Sequence, residues 1–176
     1  HRDHGANTLW GDPRYTNADV LSLANGDNLS LVNSINCLTG NFDYPGGDCF
    51  AEAWLKKVSG GAYTVIASTR VSYSWWNDYL SHGLYECLWP DFYETLATFP
   101  GYRNNLSYGS NAVGNGTHLG QMLNFAKLLM FDRRANGSQT GTCLTEFEEF
   151  HLFGCPENEP RTVLPQELTV NHPEFI

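Results

Sequence analysis

The sequence predicts an α/β domain, mainly because a strand–helix–strand pattern occupies its first half. Leu29–Asn36 is apolar and β-prone, which predicts a buried strand. Cys49–Val58 has apolar residues at helical spacing and is followed by two glycines, so it predicts a helix. Ala62–Ser68 is a continuous β-branched run of the kind found in sheets covered on both faces. Two strands joined by a helix predict a parallel crossover unit.

Helical patterns dominate the rest of the chain. Trp75–Tyr85 and Pro90–Phe99 are predicted to be helical, and Thr117–Phe131 is the clearest amphipathic helix. Asp48 is predicted to cap the N-terminus of the Cys49–Val58 helix, because an aspartate side chain accepts the free N–H groups of a first helical turn.

Three segments are less regular. Residues 7–28 are predicted to be loop with one helical turn at Ala18–Leu23. Glu146–Phe153 alternates acidic and aromatic residues, which predicts either a strand or a short helix, and its glutamates are predicted to form a solvated face. A new β element is expected to start at Leu168–Val170.

Composition and charge restrict the classes of function. The chain has 176 residues, 41% of them hydrophobic, which is enough for one domain with a core. The net charge of -9 argues against electrostatic attraction to nucleic acid or to an anionic membrane surface. No apolar run is long enough to span a bilayer. We therefore expect no nucleic-acid partner and no membrane span, and the low charged fraction of 16% is typical of an exported protein.

Cys37 is the candidate nucleophile because it follows the predicted strand Leu29–Asn36, at the edge where α/β enzymes present reactive side chains. His4 and Gly5 lie upstream and offer an imidazole base and a closely approaching backbone. An odd number of cysteines leaves at least one thiol outside intrachain disulfides. The alternatives are that Cys37 is a small buried apolar residue and that His4 is an ordinary exposed side chain.

With these residues in view, the sequence resembles the gingipain family of bacterial cysteine peptidases. Five blocks occur in the family's order. They are the His4-Gly5 pair with Trp10 after it, the cysteine block SINCLTGNF, the helix DCFAEAWLKK, the strand VIASTRVSYSWW and the segment LFGCPENEPRTVLPQELTVNHP. The last block looks like the exit from a catalytic domain into an immunoglobulin-like domain.

The resemblance implies a caspase-like αβα sandwich with a mainly parallel sheet, of which the N-terminal part is missing. Residues 1–160 would then be the C-terminal part of the peptidase domain, and 161–176 a linker and the start of a truncated immunoglobulin-like domain. Family members carry acidic residues before the His-Gly block that orient the histidine and form the base of the specificity pocket. The resemblance therefore implies that residues 1–176 alone are weakly active or inactive.

The resemblance also assigns roles to individual residues. Cys37 is the nucleophile, His4 is the general base, and the backbone N–H groups of Gly5 and Cys37 form the oxyanion hole. A tryptophan that follows the Ile-Ala-Ser-Thr strand lines the specificity pocket of family members, which points to Trp75 or Trp76, with Trp75 preferred. For both tryptophans the alternative is ordinary packing between helix and sheet.

No cofactor is predicted to be required, and no Cys or His cluster has the spacing of a zinc site. The resemblance implies calcium only as a structural ion, for which Asp43 and Asp48 are the nearby carboxylates. Two carboxylates do not make a calcium site. Two positions depart from the family pattern, namely Asn36 before the nucleophile and Cys155 where family members have aspartate.

The leading hypothesis is a secreted or cell-surface cysteine endopeptidase of a bacterium, acting on protein or peptide substrates by acyl transfer to water. A processing peptidase of a bacterial secretion system is an alternative within the same class. A non-catalytic surface binding module derived from a peptidase is the alternative from a different class. An enzyme requires a reactive Cys37 thiol, whereas a binding module does not.

Overall fold

The computed structural model describes residues 1–89, 118–134 and 140–161. The helix predicted at Pro90–Phe99 and the β element predicted at Leu168–Val170 lie outside the described residues, as does nearly all of 161–176. The elements in chain order are β1 (Gly5–Ala6), β2 (Leu9–Trp10), β3 (Tyr15–Thr16), α1 (Asn17–Leu21), β4 (Ser30–Ser34), α2 (Phe50–Lys56), β5 (Ala62–Ser68), α3 (Ser74–Leu88), α4 (Leu119–Arg134), α5 (Thr140–Glu149) and β6 (Phe150–Gly154).

The larger sheet has the strand order β4-β5-β6. β4 and β5 are parallel, with Val32 opposite Val65, and α2 connects them, so the predicted strand–helix–strand unit is confirmed. β6 is antiparallel to β5, with Phe153 opposite Val65. The expected parallel majority is therefore not confirmed, since the described strands make one parallel and one antiparallel pair.

Alternate residues of β5 contribute to two separate cores. Ile66 joins a cluster with Leu80 of α3 and Met122 of α4. Val65, one residue earlier, joins a second cluster with Trp54 of α2. Successive side chains of a strand point to opposite faces, so the sheet is covered on both sides. The architecture is an αβα sandwich, as expected, and no helix in its described part is long and apolar enough to cross a membrane.

A small antiparallel sheet, β1-β2-β3, precedes the larger one and was not predicted. Its strands have two residues each, too short to produce a recognisable alternation in the sequence. The Trp10 ring packs on the rings of Phe50 and Trp54, at centroid distances of 5.0 and 6.0 Å, and so fastens this sheet to α2. α1 begins after Thr16, one residue before the predicted turn.

The N-cap prediction for α2 is wrong. The helix begins at Phe50, and the residue before it is Cys49, whose backbone N–H donates to the Glu52 carboxylate at 2.9 Å. Asp48 lies one residue too early to cap the helix, and its carboxylate pairs with Lys56 at 2.6 Å. The long helices predicted at Trp75–Tyr85 and Thr117–Phe131 are confirmed as α3 and α4.

Residues 146–153 contain both of the predicted alternatives, since α5 ends at Glu149 and β6 begins at Phe150. The prediction of a solvated acidic face is wrong for Glu146 and Glu149, which are 0% and 4% exposed. Glu148 is exposed, as predicted. The helical spacing of the first two places them on one side of α5, which packs inward.

Candidate active site

Cys37 lies just beyond β4, at the carboxyl edge of the parallel pair. The loop that follows is tied to the end of β5, because the Leu38 N–H donates to the Arg70 carbonyl oxygen at 2.9 Å and the Gly40 N–H donates to the Ser68 carbonyl oxygen at 2.8 Å. Leu38 has a φ of 60°, a left-handed conformation that disfavours a branched side chain. Such backbone strain is found where neighbouring structure fixes a functional turn.

The thiol of Cys37 lies against a single residue of the next loop. Its Sγ donates to the Ser72 carbonyl oxygen at 3.4 Å, and the Ser72 hydroxyl lies 3.9 Å from Sγ as a donor. Asn77 at the start of α3 donates from Nδ2 to the Ser72 hydroxyl oxygen at 2.8 Å, which orients that hydroxyl. The thiol therefore has one acceptor and one donor on the same residue.

The other thiols differ from Cys37 in exposure. None of the five cysteines forms a disulfide. Burial raises the pKa of Cys49 and of Cys87 to about 11, and it also raises the pKa of Cys143. Because the thiolate is the reactive form, these three are poor nucleophiles. Cys37 is half-buried and Cys155 is exposed, so these two are the accessible thiols.

The segment that carries His4 lies beside the end of β4. The His1 backbone nitrogen donates to the Asn33 carbonyl oxygen at 2.8 Å, and the Ile35 N–H donates to the His1 carbonyl oxygen at 2.9 Å. His1 therefore pairs along β4 like a further strand residue. The exposed His4 follows, and its carbonyl oxygen accepts the Gly11 N–H at 2.8 Å.

Gly5 brings this segment into contact with the nucleophile turn. A Cβ placed on Gly5 would lie 2.6 Å from Asn36 Oδ1 and 2.7 Å from the Cys37 carbonyl oxygen. Only glycine fits this approach without displacing its neighbours. The structure thus brings Gly5, and with it the adjoining His4 backbone, to the residues around Cys37.

A buried polar network lies under this contact. Asn36 is 1% exposed, and its Oδ1 accepts from the Ser34 hydroxyl at 3.1 Å and from the Thr39 hydroxyl at 2.8 Å. Trp10 donates from Nε1 to the Ser34 hydroxyl oxygen at 2.7 Å. The network therefore connects β2 with both sides of the nucleophile turn. Asn36 departs from the family pattern at this position, and its hydrogen bonds support the turn that carries Cys37.

Trp75 and Trp76 have different environments. Trp75 is 66% exposed at the start of α3, next to the loop that contacts Cys37. Trp76 is half-buried against the core of the sandwich, and its ring contacts Tyr73 edge-on at 6.1 Å. Trp76 therefore packs against the core, whereas most of the Trp75 side chain is exposed.

The two carboxylates considered as calcium ligands each form an ion pair with a basic side chain. Asp43 pairs with Arg70 at 2.8 Å, and Asp48 pairs with Lys56 at 2.6 Å. Within residues 1–89, 118–134 and 140–161, no group of three or more His, Cys, Asp or Glu residues is placed to hold a metal ion. These side chains do not fit a calcium site.

Two carboxyl groups near the site, Glu146 and Glu149, are buried, although their sequence pattern predicts a solvated face. Glu146 Oε1 accepts the Tyr73 N–H, and the Glu149 carbonyl oxygen accepts the Thr69 N–H at 2.9 Å. Burial and mutual repulsion raise the pKa of Glu146, and burial raises that of Glu149. The signal in the sequence was helical spacing, since Cys143 and Glu146 lie three residues apart and both are buried on α5.

Sequence comparison gives a family match over most of the chain. Residues 1–161 match the family model of peptidase family C25. Lys-gingipain of Porphyromonas gingivalis is 32% identical over 136 residues, which cover 66% of this chain and 8% of that protein. Gingipain R2 of the same species is 34% identical over 76 residues, 41% of this chain and 10% of that protein. This chain thus spans a small part of the length of these relatives.

Structural comparison supports the same fold. The crystal structure of the Arg-specific cysteine proteinase gingipain R matches with a TM-score of 0.70 and 21% identity, over 98% of this chain and 35% of that one. The complex of Porphyromonas gingivalis RgpB pro- and mature domains matches with a TM-score of 0.69 and 20% identity, over 93% and 34%. Together with the match over residues 1–161, this shows that the chain belongs to peptidase family C25, the gingipain family of cysteine peptidases, and has its caspase-like fold.

Proposed function

We propose that this chain supplies the nucleophile and the general base of a cysteine endopeptidase, with Cys37 and His4 in these roles. The observation that carries the proposal is the close packing of Gly5 on Asn36 and Cys37. This packing supports the proposal because it joins a His-Gly segment to the backbone of Cys37, a half-buried cysteine at the carboxyl edge of a parallel strand pair. Membership of a cysteine peptidase family supports the same chemistry.

In the proposed reaction, His4 removes the proton of the Cys37 thiol, and the sulfur attacks the carbonyl carbon of the scissile peptide bond. The backbone N–H groups of Gly5 and Cys37 donate to the oxygen as it becomes negative. His4 then protonates the leaving amine, the C–N bond breaks, and a thioester remains on Cys37. Water, deprotonated by His4, hydrolyses the thioester, which releases the carboxylate product and restores the thiol.

Trp75 is the proposed wall of the substrate pocket, because it is the exposed tryptophan beside the loop that contacts Cys37. The relatives are named for lysine and arginine specificity, so lysine, arginine and neutral residues before the cleaved bond are the informative substrates. We further propose secretion or cell-surface location, in keeping with bacterial relatives and the low charged fraction of 16%.

The test is peptide hydrolysis by the full-length protein and by three variants. Cys37→Ala is expected to abolish turnover, and His4→Ala to lower kcat by about 10²-fold or more, the usual share of a general base. Cys155→Ala removes the other accessible thiol and is expected to leave turnover unchanged. Full turnover by Cys37→Ala would contradict the proposal, and absence of turnover in the wild-type protein on peptides and on unfolded proteins would favour a binding module.

A further inference from the structure

The 69–73 loop, between β5 and α3, is anchored to the C-terminal part of α5 at both of its ends. At the first end, the backbone N–H and the hydroxyl group of Thr69 both donate to the Glu149 carbonyl oxygen, at 2.9 and 3.0 Å. At the second end, the Tyr73 N–H donates to the Glu146 carboxyl group. The loop therefore spans from one anchor to the other.

Ser72 lies between these two anchors and contacts the proposed nucleophile. It is 8% exposed, and its carbonyl oxygen lies 3.4 Å from Cys37 Sγ. The loop continues directly into α3 and the exposed Trp75. One short segment thus touches the proposed nucleophile and leads to the proposed pocket wall, so its position affects both.

Glu146 is an unusual anchor because it is a fully buried carboxyl group. An apolar side chain of similar volume would fill the same space without the desolvation cost of a carboxylate. Only an acceptor, however, forms a hydrogen bond with the Tyr73 N–H, and an apolar replacement would lose that bond. The retained polar group is thus explained by its contact with the loop rather than by packing.

We infer that Glu146 is a positioning residue for the proposed nucleophile: by accepting the Tyr73 N–H it fixes the 69–73 loop and holds Ser72 against the Cys37 thiol. The inference rests on the proposed function for the role of Cys37, but the anchor itself is a property of the fold. Glu146 touches neither the thiol nor the proposed base, and it acts through the backbone of Tyr73 and Ser72.

The protonation state of Glu146 follows from its surroundings. The titratable group that acts on it is Glu149, also on α5; Arg70 in the loop acts on Glu149, and Glu146 in turn acts on Cys143. Burial favours the neutral carboxyl group, no cation pairs with it among the described residues, and the pKa of Glu146 is raised to about 9. A neutral carboxyl group still offers a carbonyl oxygen to Tyr73, so the anchor does not need the charge.

Two variants distinguish the effect of the Glu146 side chain as a hydrogen-bond acceptor from the effect of its charge. Glu146→Gln keeps an oxygen acceptor and removes ionisation, whereas Glu146→Met keeps the volume and removes the acceptor. Glu148→Gln is the matched control, because Glu148 lies on the same helix and is exposed. The measurements, all on the full-length protein, are hydrogen exchange of the Tyr73 amide, alkylation of Cys37 by iodoacetamide, and kcat and KM on a peptide substrate.

Glu146→Met is expected to lose protection of the Tyr73 amide and to lower kcat by about tenfold or more, since misplaced reacting groups carry penalties of this size. Glu146→Gln is expected to keep the protection and to stay within about threefold of the wild-type kcat, as is Glu148→Gln. A folded Glu146→Met protein with wild-type kcat and a protected Tyr73 amide would overturn the inference. So would equal losses in Glu146→Met and Glu146→Gln while the Tyr73 amide stays protected.

Two further outcomes call for other measurements. If Glu146→Met does not fold, the Tyr73 amide of the wild-type protein carries the test. It should be protected as strongly as the amides within β5, and an unprotected Tyr73 amide would overturn the inference. If the wild-type protein has no turnover, the proposed function fails separately. The Tyr73 amide and the alkylation rate of Cys37 then still report whether Glu146 positions the loop.

Discussion

Gly5 packs directly on Asn36, so the N-terminal sheet and the nucleophile turn are joined at a point with no space for a side chain. A Cβ on Gly5 would come within 2.6 Å of Asn36 Oδ1. The contact joins residues that are distant in sequence, and it determines where the His-Gly segment lies relative to Cys37. Two independent features hold it in place, the pairing of His1 with β4 and the hydrogen bond from Trp10 to Ser34.

Gly5→Ala is expected to displace the His4–Gly5 backbone from Cys37. A shift of about 1 Å lowers activity by about 10²-fold when reacting groups lose alignment, so kcat/KM should fall by that order. The matched control is Gly141→Ala on α5, where an added Cβ meets no atom within 4 Å. Peptide hydrolysis by the full-length variants is the measurement. Similar kcat/KM for both alanine variants would show that the Gly5 contact does not align the site.

Asn36→Ala is expected to destabilise the protein. The substitution leaves the buried hydroxyls of Ser34 and Thr39 without their shared acceptor, which costs about 1–3 kcal/mol in the free energy of unfolding. Asn28→Ala replaces an exposed asparagine and should change stability by less than about 0.5 kcal/mol. Urea unfolding curves compare the two, and equal midpoints would mean that the network contributes nothing to stability.

Raising the pH is expected to destabilise the folded chain through the carboxyl groups of Glu146 and Glu149. Their ordinary pKa is 4.5, and in the folded chain the values are raised to about 9 and about 7. The folded state therefore holds more protons than the unfolded state above pH 4.5, so stability is present at low pH and declines as the pH rises through the folded values. Each proton contributes a slope of at most about 1.4 kcal/mol per pH unit.

Glu146→Gln should reduce that slope, because the amide does not ionise, whereas Glu148→Gln should retain it. Unfolding free energies measured at several pH values between the ordinary and the raised pKa provide the comparison. A wild-type stability that does not decline over this interval, or an unchanged slope in Glu146→Gln, would show that Glu146 is not protonated in the folded state.

Gly83→Ala is expected to push α3 away from α4. An added Cβ on Gly83 would overlap the Cα of Ala126, so the helices must separate or shift. Overpacking of this kind costs about 1–3 kcal/mol in the free energy of unfolding, against a gain of about 1 kcal/mol in helix propensity for alanine over glycine. A lowered thermal midpoint is therefore expected, and an unchanged or raised midpoint would show that the helix pair accommodates the methyl group.

The elements that the sequence predicted well are those with a single strong pattern. The bounds of β5 are those predicted, because a continuous β-branched run that follows two glycines fits a strand and no other element. The segment around Glu149 was ambiguous, because alternating acidic and aromatic residues fit a helix and a strand, and the chain uses both there. β1-β2-β3 was missed because two-residue strands have no periodicity.

The candidate site was predictable only in part. Cys37 is a candidate because it follows a strand, and His4 is a candidate because of its position before Cys37 and its resemblance to a family motif. Neither Ser72 nor Glu146 was found, because a serine and a glutamate in these patterns are ordinarily solvated. Their roles depend on the docking of α5 against the 69–73 loop, a tertiary contact between distant parts of the chain that local patterns do not encode.

The most direct test of the central claim is to identify the residue that a peptidyl chloromethyl ketone modifies in the full-length protein. The sulfur of an active nucleophile displaces chloride from such a reagent and forms a thioether, which mass spectrometry locates. We expect a single adduct on Cys37, loss of peptide hydrolysis in parallel, and much slower labelling in His4→Ala. An adduct on Cys155 in place of Cys37, or continued hydrolysis by protein that is fully labelled at Cys37, would contradict the account.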